Sequence, residues 1–65
     1  MPASAGGGRE VLFEFTALGG SIRGVAIDAE TGTEVVAIAP ANTAQADLRR
    51  LLLGKLKSRL DSAAR

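Results

Sequence analysis

Residues 11–28 read VLFEFTALGGSIRGVAID, two strand-like apolar runs that meet at Gly19-Gly20. A two-residue loop between strands needs positive φ and a twist that matches its flanks, and glycine supplies both without strain. If Leu18 faces Ser21, the register of the whole hairpin follows, because side chains alternate with period two. Val11, Phe13, Phe15 and Ala17 then share a face with Asp28, Ala26, Gly24 and Ile22. Leu12, Glu14, Thr16 and Leu18 share the other with Ile27, Val25, Arg23 and Ser21. The first face holds both phenylalanines of the chain and is read as the core, with the Phe15 ring covering the side-chain-free Gly24.

Outward from the hairpin, residues 28–33 (DAETGT) form a turn that Asp28 begins and Gly32 closes in the left-handed conformation. A third strand follows over Glu34–Ala39. Val35, Ala37 and Ala39 point one way and Val36 and Ile38 the other, so both parities are apolar and the turn length decides between them. A strand apolar on both sides points to a sheet covered on both faces.

Pro40 ends the sheet. Asn42 or Thr43 is placed to cap a helix, with Gln45 three residues after Asn42 as in a capping box, and the helix runs to about Leu60 or Ala63. Its wheel carries two apolar stripes. Ala44, Leu48, Leu51 and Leu52 suit packing on a sheet, and Leu53, Leu56, Leu60 and Ala63 have the spacing of a helix–helix seam. Lys55 and Arg59 interrupt the arc, and their stems are expected along the sheet rim. Gly54 lies on the polar side, where it weakens the helix by about 1 kcal/mol relative to alanine.

With 65 residues the chain is one domain, near the size at which a single core gives marginal stability, so help from a partner chain is expected. A hydrophobic content of 46% rules out full disorder, and 3% aromatic residues leaves Leu, Val, Ile and Ala to build the core. Residues 1–8, small and glycine-rich, are expected to be a disordered tail, and 63–65 a frayed end, around a domain over 9–62.

Cysteine and histidine are absent. Thiolate sites, disulfides, Ser-His triads and most zinc sites are therefore excluded. Ser21, Thr31, Thr33, Ser58 and Ser62 have no activating base, and Gly19-Gly20-Ser21 leads into a strand rather than a helix N-terminus, so it is no phosphate loop. Asp28, Glu30 and Glu34 lack the spacing of a calcium loop. We expect no catalytic, metal or cofactor-binding residue. Neither a leader-like start nor a membrane-length apolar run is present, and a soluble cytoplasmic protein with no membrane partner is expected.

Glu14-Phe15, Gly19, Ala26-Ile27-Asp28, Thr31-Gly32-Thr33-Glu34-Val35, Pro40, Leu48 and Lys55-Leu56 recur in an order that resembles a family of short alphaproteobacterial proteins of unknown function. The match runs from about Arg9 to Leu60. The resemblance implies a small β-β-β-α domain and carries no catalytic residue; Gly24 and Gly54 depart from its pattern.

The fold expected is α+β: a three-stranded antiparallel β-meander, β2 central, with one C-terminal α-helix packed on one face, a two-layer β-β-β-α domain. The second sheet face, with Leu12, Leu18, Val25 and Ile27, would then form an apolar patch larger than a monomer usually exposes. The leading expectation is a non-enzymatic protein-interaction module, a homodimer formed through that face or through the Leu53, Leu56 and Leu60 seam. One alternative is nucleic-acid binding through Arg49, Arg50, Lys57 and Arg59. Residues 43–65 do carry six basic groups against two acidic ones, but residues 1–42 carry two against five, so the sheet is acidic. Another alternative is a small ligand-binding protein using Glu14 and Arg23 above an apolar floor.

Overall fold

β1 (Val11–Leu18) and β2 (Ser21–Asp28) form the expected hairpin in the expected register, Leu18 opposite Ser21 through to Val11 opposite Asp28. The structure is a computed structural model that describes residues 10–63, so the expected tail over 1–8 lies outside the described residues, as do positions 64 and 65. At the loop, Gly19 has a φ of 61° and Gly20 does not have a positive φ, the pattern of a type II′ turn.

Beyond β2 the chain turns at Asp28. Gly32 adopts a φ of 76° and its N–H donates to the Asp28 carbonyl at 2.7 Å, while the Asp28 N–H donates to the Thr33 carbonyl at 2.8 Å. The fully buried Asp28 carboxylate accepts from the Thr31 N–H at 3.1 Å and from the Thr31 hydroxyl at 2.7 Å. A carboxylate taken out of water needs such donors.

This turn settles the parity of β3 (Glu34–Pro40), which pairs antiparallel with β2 and makes β2 the central strand. Val35 stands opposite Ala26 and Ala37 opposite Gly24, both facing the helix; Val36 and Ile38 face away. The link from β3 is short, and the Ala41 N–H donates to the Gly20 carbonyl at 2.9 Å, tying the end of β3 to the hairpin loop.

α1 (Gln45–Ala63) begins later than the cap reading places it. The Ala44 carbonyl accepts from Leu48 N–H at 3.1 Å, so Ala44 holds the cap position and Asn42 and Thr43 lie ahead of it. Asp47 in the first turn still complements the positive end of the helix.

Leu48, Leu52 and Leu56 form one line at i, i+4 spacing, each at most 2% exposed, over Ala26, Val35 and Ala37, with Leu60 packed against the same core. The two stripes expected of the helix are thus one line with flanks. Leu51 is 51% and Leu53 43% exposed, on either side of it, and Ala44 is exposed ahead of the helix. A lone helix meets a flat sheet along a single row of side chains, so its neighbours a residue away stay in solvent. Each buried leucine contributes about 2 kcal/mol.

Candidate protein-interaction surface

A helix is about 10 Å across and strands lie about 4.8 Å apart, so one helix covers two strands of a three-stranded sheet. Because α1 follows β3 through a short link, it packs on β2 and β3. β1 is left at the far side. None of its residues is buried, although Val11, Leu12, Phe13, Phe15 and Leu18 are all large and apolar.

On the helix side of β1, Phe13 and Phe15 remain half-buried, their rings parallel to within 4° at 6.2 Å between centroids. The guanidinium of Arg49 sits 5.5 Å above the Phe13 ring, a cation–π contact that covers part of it. Phe15 stands opposite Gly24 as expected, and the helix leucines also reach that glycine. The atoms nearest to where a Gly24 side chain would begin belong to Leu52 and Leu48. An open groove of about 370 Å³ runs between α1 and the start of β1, lined by Val11, Leu53, Leu56, Lys57, Leu60 and Asp61.

The opposite sheet face carries no covering element among the described residues. Across the strands its rows are Leu12, Ile27 and Glu34; Glu14, Val25 and Val36; Thr16, Arg23 and Ile38; Leu18, Ser21 and Pro40. Leu12 is 49%, Leu18 48% and Ile38 63% exposed, values that mark apolar side chains left in water. Val25, at the centre, is 6% exposed and enclosed by its neighbours, so it offers little contact surface; Ile27 is half-buried.

The candidate helix seam divides in the same way. Leu56 belongs to the core, Leu60 packs against it, and Leu53 is exposed. The four candidate nucleic-acid residues are exposed but do not form one stripe. Arg49 is placed over Phe13, and Lys57 lines the β1-side groove with Asp61. Arg50 lies 3.6 Å from Asp47, and with Arg59 it lines a shallow hollow on the β3 side. An exposed pair such as Arg50–Asp47 contributes little, but it leaves less free positive charge. Glu14 and Arg23 stand diagonally on neighbouring strands of the outer face.

The two sheet edges differ. The Glu10 carbonyl accepts from Ala29 N–H at 3.0 Å, so by antiparallel alternation the even residues of β1 bond to β2 and Val11, Phe13, Phe15 and Ala17 direct their N–H and C=O groups outward. On β3 the outward groups belong to Glu34, Val36, Ile38 and Pro40. There Lys55 Nζ donates to the Val36 carbonyl at 2.7 Å, and Pro40 has no N–H to offer. Sequence reasoning expected Lys55 at the sheet rim but did not find this bond, which spans 19 residues.

No helix among the described residues is long and apolar enough to cross a membrane. Residues 8–64 match a family described as "Domain of unknown function (DUF6898)". No curated protein and no solved structure matches the chain.

Proposed function

The chain belongs to the DUF6898 family, and from that premise we propose that it is a non-enzymatic protein-interaction module that self-associates as a homodimer. One observation carries the reading: β1 is rich in large apolar residues, of which Val11, Phe13 and Phe15 are only partly buried and Leu12 and Leu18 are about half exposed. In a 65-residue domain such surface is stability left unused, and covering it with a second copy is the economical route to a larger core.

Light scattering on the purified chain across a dilution series tests this. A dimer that persists on dilution, and that Leu12→Asp converts to a folded monomer, is the expected result. Leu12 is already half exposed, so the substitution removes association without emptying the core. A wild-type monomer at every concentration would overturn the proposal.

A further inference from the structure

Two strands border this sheet, and they are not equally protected against pairing with another chain. An exposed edge is a template for another strand, and natural proteins block edges with lysine, proline or a covering element. β3 has two such devices, Lys55 on the Val36 carbonyl and Pro40 at an outward position. β1 has eight residues with no Lys, Arg or Pro, and outward backbone groups at Val11, Phe13, Phe15 and Ala17.

Resting on the self-association proposed above, we infer that the β1 edge is the joint: β1 of one copy pairs antiparallel with β1 of a second, making one continuous six-stranded sheet. A second copy is the occupant because the edge is self-complementary in one register. For the two helices to lie on the same side, facing residues must share parity, so their numbers sum to an even value. The two such registers with the longest overlap of residues 11–18 centre on Glu14 or on Phe15. Centring on Glu14 sets two carboxylates directly opposite each other, which is destabilising.

Centring on Phe15 avoids that conflict. Phe15 then meets Phe15 as a hydrogen-bonded pair across the two-fold axis, with outward groups on both copies already aimed at each other. Phe13 of each copy faces Ala17 of the other, and Glu14 faces Thr16. On the outer face Leu12 meets Leu18, the two β1 leucines that the monomer leaves about half exposed. On the helix side the Phe13 and Phe15 rings of both copies become the floor of a trough walled by the two helices.

The experiment uses the full chain. Ala17→Pro removes an outward N–H and sets a ring against the edge, while Ala17 itself is exposed and its N–H makes no bond to β2. The expected result is a wild-type dimer whose mass is halved by Ala17→Pro at every concentration, with circular dichroism unchanged, and kept by Ile38→Lys on the outer face. A dimer that survives Ala17→Pro but is halved by Ile38→Lys overturns the edge joint and leaves self-association standing; a wild-type monomer sinks self-association itself.

A second measurement does not depend on proline being accommodated. The chain has no cysteine, so single-cysteine variants report only the joint. Hydrogen-bonded partners lie about 5.5 Å apart at Cα, within disulfide reach. Phe15→Cys is expected to form a disulfide-linked dimer under mild oxidation, and Glu14→Cys and Ile38→Cys monomers. Cross-linking of Glu14→Cys or Ile38→Cys in preference to Phe15→Cys would overturn the register.

Discussion

Gly24 on the central strand and Leu52 on the helix meet so closely that a Cβ added to Gly24 would stand 2.9 Å from Leu52 Cδ1, and 3.2 Å from Leu48 Cδ2. The close approach lets the row of helix leucines sit down on β2. Alanine at position 24 would gain about 0.5–1 kcal/mol from the lost freedom of glycine. Overpacking a filled core costs about 1–3 kcal/mol. The second effect wins, because both leucines are fully buried and their ends have little room to move. Gly24→Ala is expected to lower stability by about 1 kcal/mol, and Gly24→Val by more, read as a drop in the urea midpoint.

The Asp28–Thr31 turn predicts a substitution that acts at a distance from the core. Thr31→Ala removes the 2.7 Å hydroxyl bond to a carboxylate that is 0% exposed, leaving a buried charge with one donor fewer. A loss of about 1–2 kcal/mol is expected, and Thr31→Ser, which keeps the hydroxyl, should restore most of it. Equal melting of the two variants would assign the effect to the methyl group.

At the helix N-terminus, Ala44 holds the cap position without a side-chain acceptor. Ala44→Ser supplies an oxygen for the first free N–H groups, with Asp47 placed three residues later. The gain expected is about 1 kcal/mol, seen as a higher thermal midpoint.

Gly54 offers the contrasting case to Gly24. Nothing lies within 4 Å of the place its Cβ would occupy, and its φ is not positive, so no packing or turn requires glycine there. Gly54→Ala is expected to stabilise α1 by about 1 kcal/mol without changing the solution mass. A loss of stability would mean that the helix needs the bend a glycine permits.

The hairpin register was legible because Gly19-Gly20 left one loop length, and period-two alternation carried that register to Asp28. Asp28 and Gly32 likewise announced their turn through the chemistry of each residue. The helix was harder to read: its leucines lie at 48, 51, 52, 53, 56 and 60, and a wheel cannot say which of them a lone helix buries. The cap was misplaced by a residue or two because Asn42 and Thr43 are good capping residues that lie just ahead of the position itself. The edge bond from Lys55 to Val36 left no local signal, since the two residues are brought together only by folding.

For this protein the order of elements, the β1–β2 pairing and the absence of thiol and imidazole chemistry follow from residues and spacings that act over a few positions. Which face β3 buries, where α1 settles across the sheet and which edge is left open were decided by tertiary packing. The reason is one of size: one helix spans two strands, the short link from β3 commits it to β2 and β3, and β1 is left with Val11, Phe13 and Phe15 only partly buried against the core and Leu12 and Leu18 about half exposed.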